Sequence, residues 1–106
     1  MNELVFTLSL CKKAGKLVLG MDPVVSSLKE KKLFAVFLSC DLSQNSKKEI
    51  EFYCTKYETE TVTLPLNMNE IWYAVGKRAG IVGITDKGLY NKLRTILIKL
   101  NGEETI

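Results

Sequence analysis

Three lysines lie close together near the start of the chain, beside the predicted start of a helix. Lys12 and Lys13 end a stretch with helical periodicity, and Lys16 follows three residues later. Ammonium groups at this spacing could contact the phosphates of a polyanion, and a helix N-terminus adds to the same positive field. Asp22 suits the N-cap of that helix, and Pro23 suits its first position, which needs no N–H. The same residues also fit an ordinary helix–strand–helix connection with solvated lysines.

Most catalytic and metal sites are excluded by residue types that the chain lacks. It contains no histidine, which is the commonest general base and metal ligand, so Ser/His/Asp and Cys/His catalysis are excluded. Neither a P-loop nor a GxGxxG motif occurs, and the glycine-rich region 76–83 precedes a predicted strand instead of opening a helix. The sequence therefore predicts no cofactor and no metal.

Asp41 is the one carboxylate that invites an enzymatic interpretation. It follows the predicted central strand, and α/β sheets bind ligands beyond the carboxyl ends of their strands. With Thr85 or Asp86 it could line a crevice like that of a phospho-accepting receiver domain. A receiver also needs an acidic cluster after its first strand to hold magnesium, and here only Asp22 stands there. We therefore expect Asp41 to cap the turn before Ser43, with the receiver as an alternative.

Aromatic side chains could bind nucleobases, because Trp72 and the tyrosines offer flat surfaces on which bases stack. Trp72 lies at helical spacing within an apolar pattern. That spacing favours a place in or near the core over a place in a binding site.

The composition is that of a soluble globular protein with a hydrophobic core. The chain has 106 residues, of which 46% are hydrophobic and 25% charged, and this predicts one domain over residues 1–106. No apolar run is long enough for a membrane span, and no secretory signal pattern opens the chain. Cys11, Cys40 and Cys54 are far apart and form no CxxC pair. We therefore expect reduced, buried thiols in a cytoplasmic protein.

The net charge of +3 is unevenly distributed along the chain. Residues 1–32 carry six basic and three acidic side chains, residues 33–70 carry three and six, and residues 71–106 carry six and three. If the two basic ends meet in space, they form one positive face suited to a phosphate backbone. Scattered, solvated charges are the alternative.

Periodicity and turn residues predict nine alternating elements. The first two helices are expected over 3–13 and from Asp22 to about Lys32. The third is expected from a Ser46/Glu49 capping box to about Tyr57, and the fourth from an Asn67/Glu70 capping box to Gly76. The last follows a cap at Thr85 or Asp86, and its apolar face consists of Leu89, Leu93, Ile96, Leu97 and Leu100. Strands are expected over 16–20 and 33–38, both buried, over 61–64 at an edge, and over 81–84, with a frayed tail from about 101. Strict alternation with short connections predicts an α/β fold with helices on both sides of a four-stranded sheet.

Several motifs in this order resemble a known family. The segments Leu10–Gly20, Leu38–Ser43, Asn45–Lys48, Val75–Lys77 and Val82–Gly88 are similar to the kink-turn RNA-binding ribosomal proteins of the L7Ae/L30e type. The similarity extends from about Leu4 to Leu97 and is greatest to small bacterial ribosome-associated members. It implies a three-layer α/β/α sandwich with a mixed four-stranded sheet.

The resemblance also implies an RNA surface made by three segments, 16–20, 21–26 and 76–80. Within it the phosphate contacts would come from the basic side chains, close backbone approach from two glycines, and a base contact from an acid. The expected RNA-binding residues are Lys12, Lys13, Lys16, Gly20, Met21, Asp22, Gly76, Lys77, Arg78 and Ala79. The partner implied is structured RNA, in particular ribosomal RNA, together with ribosomal proteins.

One departure from the family pattern concerns the start of the second helix. Kink-turn binders carry Asn and Glu there, and Lys three residues later, whereas the matching positions here hold Asp22, Pro23 and Ser26. Asp22 could still accept from a guanine amino group, but Pro23 has no polar group and Ser26 has no charge. The sequence thus predicts a non-enzymatic RNA-binding protein, with a protein-interaction module that has lost specific RNA binding as the alternative.

Overall fold

The computed structural model describes residues 2–105 of the chain, and the side chains of residues 2–100. Helices and strands alternate in the predicted order. They are α1 (Glu3–Lys13), β1 (Leu17–Leu19), α2 (Met21–Lys29), β2 (Ala35–Leu38), α3 (Gln44–Lys56), β3 (Glu60–Thr63), α4 (Met68–Val75), β4 (Ile81–Ile84) and α5 (Lys87–Thr105). None of the described helices is both long and apolar enough to cross a membrane.

The four strands form one mixed sheet in the order β1-β4-β2-β3. Strand β2 pairs parallel with β3, and β4 runs antiparallel to both β1 and β2. Strands β1, β2 and β3 therefore all end on the same side, where β4 begins. We call this the carboxyl end of the sheet, and the opposite side, where β4 ends, the amino end. The direction of β4 decides which parts of the sequence become neighbours.

Two hydrophobic cores cover the two faces of the sheet. Successive side chains of a strand point to opposite faces, so Ala35 and Phe37 pack with α1, α4 and α5, whereas Val36 and Leu38 pack with α2 and α3. All four side chains of β2 are buried, as its uninterrupted apolar sequence predicts. The predicted α/β/α sandwich with helices on both sides is confirmed.

Strand β1 and helix α2 differ in detail from the prediction. The side chains of β1 are half-buried instead of fully buried, because β1 lies at the edge of the sheet with only β4 beside it. Helix α2 begins at Met21 with Gly20 as N-cap, so Asp22 and Pro23 lie inside its first turn. It ends at Lys29, short of the expected Lys32, and the chain turns at Lys31 with a φ of 56°.

The N-caps of α4 and α5 follow the sequence, whereas those of α2 and α3 differ from the predicted residues. Asn67 and Glu70 form the predicted capping box of α4, which ends at Gly76 in the left-handed conformation. Asp86 accepts from the Leu89 N–H at 2.9 Å and caps α5. For α3 the cap is Ser43, whose hydroxyl accepts from the Ser46 N–H; the predicted cap at Ser46 is wrong because the helix starts one turn earlier.

Four side chains expected inside are exposed instead. One of them is Phe34, in the predicted buried strand 33–38, which is 42% exposed. Trp72 is 50% exposed and Leu100 is 42% exposed, and Cys40 is exposed while the other two thiols are buried. Trp72 lies about 100° around the helix from Ile71, so it leaves the inner face formed by Ile71, Ala74 and Val75. The predicted fraying of the tail from about 101 concerns side chains outside the described set and stays a prediction.

Candidate functional site

The carboxyl end of the sheet brings together two of the three segments expected to form the site. The Gly20 N–H donates to the Ile81 carbonyl at 2.9 Å, which ties the start of α2 to the start of β4. The Ser39 N–H donates to the Gly80 carbonyl at 2.9 Å, which ties the end of β2 to the same loop. Met21 and Asp22 consequently lie next to the loop 76–80.

Three helices begin at this end of the sheet, and their N-termini differ in how they are capped. Ser43 caps α3. Helix α4 is capped by Asn67, and the Asp41 carboxylate additionally accepts from the Met68 N–H at 3.1 Å. In the described part of the chain no side chain caps α2, whose N-cap is Gly20. Free N–H groups in the first turn of α2 are therefore available to an external acceptor.

The loop 76–80 presents two cations beside that helix start. The side chains of Lys77 and Arg78 are exposed, and the Arg78 guanidinium donates to the Asn69 side-chain oxygen at 2.7 Å. Ala79 is only 6% exposed, so a ligand could meet residue 79 only through its backbone. The loop thus combines an exposed backbone at Gly76 with positive charge.

The remaining predicted cations lie elsewhere. Thr85 donates to the Lys16 carbonyl through its N–H at 3.0 Å and its hydroxyl at 3.1 Å, which places Lys16 at the amino end of the sheet. Four residue steps of extended chain lead from Lys16 to Gly20, about 13 Å at the usual rise of a strand. Lys12 and Lys13 stand in the last turn of α1, where cations also stabilise a helix dipole. The basic residues form two groups at opposite ends of the sheet instead of the single face that meeting chain ends would give.

The three positions that depart from the kink-turn pattern are accessible. Asp22, Pro23 and Ser26 are all exposed. Asp22 and Ser26 line a shallow groove between α2 and α3, together with Lys29, Glu49 and Tyr53. A ligand at the start of α2 can therefore reach these side chains directly.

Asp41 is engaged in structure, but not in the way its neighbourhood in sequence suggested. Its carboxylate accepts a hydrogen bond from the first N–H of α4. It does not accept one from the turn before Ser43, which it was expected to cap. Among the described residues, no three Cys, Asp or Glu side chains meet in an arrangement that could hold a metal ion.

Two exposed aromatic residues near this site were not among the predicted binding residues. Trp72 and Tyr73 lie on the outer face of α4, one turn before the loop 76–80. The signal that could have found them is the helical period itself, because Ile71, Ala74 and Val75 already fill the inner face and leave positions 72 and 73 outside.

Comparison with known proteins gives consistent matches along most of the chain. The sequence model of the family described as "Ribosomal protein L7Ae/L30e/S12e/Gadd45 family" matches residues 3–94. The Enterococcus faecium "RNA-binding protein YlxQ" is 29% identical over 90 residues, covering 85% of this chain and 86% of that protein. The Saccharomyces cerevisiae "Large ribosomal subunit protein eL30" is 32% identical over 91 residues, covering 84% and 87%. A Bacillus halodurans protein of unknown function has a similar solved structure, with a TM-score of 0.83, 25% identity, and coverage of 90% of this chain and 96% of that one.

Proposed function

Because the chain belongs to the ribosomal protein L7Ae/L30e/S12e/Gadd45 family, we propose that it is a non-enzymatic, ribosome-associated protein that binds structured RNA in the cytoplasm. The names of two similar proteins support this proposal, since one is an RNA-binding protein and the other a protein of the large ribosomal subunit. The first name gives RNA and the second gives the large ribosomal subunit. Ribosomal RNA is therefore the partner we propose, and contacts to ribosomal proteins would follow from a place on the ribosome.

One observation carries the location of the site: the uncapped N-terminus of α2 adjoins the basic loop 76–80. Lys77 and Arg78 would contact phosphates, while the free N–H groups of Met21 and Asp22 would donate hydrogen bonds to an RNA oxygen. Gly20 and Gly76 have no side chain to keep the RNA backbone away. The carboxylate of Asp22 is the candidate for contact with a guanine amino group.

The lysines at the amino end of the sheet would contact a separate part of the same RNA. Lys12, Lys13 and Lys16 are exposed but lie beyond the length of β1 from the start of α2. They would neutralise phosphates only of an RNA that extends past the sheet. We therefore assign the primary contacts to the carboxyl end and secondary ones to these three residues.

A catalytic role for Asp41 is not part of this proposal. Its carboxylate is bonded to the backbone of α4, and the chain has no histidine to act beside it. A protein-interaction module on the same fold is the second candidate, and the exposed Pro23 favours it, because this side chain offers no hydrogen bond to a base.

Salt dependence of RNA binding tests the proposal and the location together. Each phosphate that a protein neutralises adds about 0.7 to 0.9 to the slope of log affinity against log salt. The double change Lys77→Ala, Arg78→Ala should therefore weaken binding of a structured ribosomal RNA fragment and reduce the slope by about 1 to 2. The matched control is Lys31→Ala, Lys32→Ala, which removes the same charge from exposed residues after α2.

The two pairs distinguish the possible results. Equal losses of RNA affinity in the two double variants would mean that only net charge matters, and would contradict a site at the carboxyl end. A natural protein that binds no RNA at any salt concentration would contradict the function itself and favour the interaction module.

A further inference from the structure

Two large aromatic side chains on α4 have no place in the core. Tyr73 is 74% exposed, and its neighbour Trp72 is half exposed. Exposed single hydrophobic residues are common on protein surfaces, but adjacent aromatic residues of this size offer a flat apolar area that favours a partner. Because they lie next to the loop 76–80, the charges and the geometry around that loop indicate which kind of partner binds there.

A cation is held against the same turn of the helix. Asn69 precedes Trp72 by three residues and Tyr73 by four, so all three are neighbours on the surface of α4. Long helical side chains generally lean back over the preceding turn, and for Trp72 and Tyr73 that is the turn that carries Asn69. The Arg78 guanidinium donates to the Asn69 side-chain oxygen at 2.7 Å. We call Asn69, Trp72, Tyr73 and Arg78 the aromatic patch.

The charges in and beside the patch favour an anionic partner. Lys77 and Arg78 supply two exposed cations. The one acid in α4, Glu70, is committed to the capping box, where its carboxylate accepts from the Asn67 N–H at 3.0 Å. Stacking surfaces combined with cations are how proteins bind unpaired nucleotides, since every base has a flat face and every linkage a phosphate.

The patch is also continuous with the proposed RNA site. Arg78 and Ile81 are three residue steps apart along the chain, which limits their separation to about 11 Å even if the chain is fully extended. The Ile81 carbonyl accepts from the Gly20 N–H at the start of α2. One RNA can therefore contact α2 and the patch at once.

We propose that Trp72 and Tyr73 stack on unpaired bases of the RNA that the carboxyl end of the sheet binds, while Arg78 contacts the adjoining phosphate. The inference rests on the proposed function and adds to it a preference for RNA with unpaired nucleotides next to the site. It gives the protein a second means of selection besides the side chains at the start of α2.

The chain provides its own reporter, because Trp72 is its only tryptophan. Titration with oligouridine, which has no paired bases, should quench the fluorescence of Trp72, whereas a blunt RNA duplex should leave it nearly unchanged. The double change Trp72→Ala, Tyr73→Ala should weaken binding of labelled oligouridine by about tenfold or more, the scale of a lost base stack. Affinity for the duplex should stay within about twofold, well below the scale of a stack.

Two further variants serve as controls. Trp72→Phe keeps an aromatic face and should retain most of the oligouridine affinity. Phe52→Ala removes a comparably exposed aromatic side chain from α3, on the other side of the sheet, and should have no effect.

The inference is overturned if Trp72 fluorescence does not respond to any RNA that the protein binds, or if the double variant binds oligouridine normally. It is also overturned if duplex and oligouridine affinities fall equally. In each of these cases the proposed function still stands if the salt dependence of RNA binding is reduced by the loss of Lys77 and Arg78. A natural protein that binds no RNA contradicts both.

Discussion

The carboxylate of Asp41 accepts a hydrogen bond from the backbone N–H of Met68 at 3.1 Å, across 27 positions of sequence. The contact joins the end of β2 to the first turn of α4. It adds a second acceptor to a helix start that Asn67 already caps. Asp41 thereby helps to fix α4 and, through Arg78 and Asn69, the loop that carries the cations.

Removal of this contact should lower stability modestly and leave the RNA site intact. Asp41→Ala deletes the acceptor and should lower the free energy of unfolding by about 1 kcal/mol, the usual scale of a lost N-cap. Asp41→Asn keeps a side-chain oxygen at the same place and should cost less. Urea unfolding of the two variants measures the difference. Loss of RNA binding by a folded Asp41→Asn variant would restore a functional role for this carboxylate.

Gly20 should tolerate a side chain less well than Gly76, although both have positive φ. Gly20 has φ 97° and ψ 161°, a conformation that only glycine adopts readily, so Gly20→Ala should cost about 1–3 kcal/mol. Gly76 is left-handed at φ 77° and ψ 7°, where asparagine is acceptable, so Gly76→Asn should cost clearly less. Thermal unfolding of both variants measures which one loses more stability. Equal losses of stability would show that a side chain at position 20 causes no particular backbone strain.

The three thiols should differ in reactivity towards an aromatic disulfide reagent. Burial raises the pKa of the Cys11 thiol, with a further increase from the Asp86 carboxylate, and burial raises the pKa of the Cys54 thiol. Fewer thiolates and no access should make both unreactive in the folded protein at neutral pH. Cys40 is exposed and should react at once. Cys40→Ser should remove the fast reaction, while fast modification of two thiols per folded chain would contradict the burial of Cys11 or Cys54.

The natural protein should show little preference for a kink-turn over an unkinked duplex. Pro23 cannot pair with a base edge, and Ser26 cannot offset a phosphate charge. The triple change Asp22→Asn, Pro23→Glu, Ser26→Lys should raise that preference at least about tenfold, or roughly 1.4 kcal/mol. All three positions are exposed in the first turns of α2, and glutamate is favourable near a helix start, so the variant should fold.

Titration of both proteins with a kink-turn RNA and its unkinked control, at one salt concentration, measures this preference. Strong discrimination by the natural protein would place base recognition at residues other than 22, 23 and 26. No discrimination by either protein would favour the interaction module over specific RNA recognition.

Most of the fold could be predicted because its signals are local. The apolar run before Ser39 marks a buried strand, the pairing of Asn67 with Glu70 marks a helix start, and Gly76 marks a helix end. Each of these depends on a few neighbouring residues, and the structure confirms each. Alternation of such elements leaves few ways to cover a four-stranded sheet.

The candidate site was harder to predict because it depends on strand direction. Lys16 and Arg78 flank β1 and β4, and the antiparallel pairing of these strands sends the two cations to opposite ends of the sheet. No local pattern fixes that pairing. The prediction that Trp72 lies in or near the core was wrong for a different reason. The size of its side chain suggested burial, although its angle around α4 from Ile71 did not.

The uncapped start of α2 has a consequence for the energetics of the protein. A helix whose first amide groups lack acceptors is incompletely bonded until something else supplies them. An RNA oxygen placed there would accept hydrogen bonds from these amides, as Ser43 does for α3 and Asn67 does for α4. Ligand occupancy would then be felt as local order: slower hydrogen exchange of the amides at Met21 and Asp22, and an unfolding midpoint that rises with RNA concentration. Recognition and the completion of the fold would be the same event.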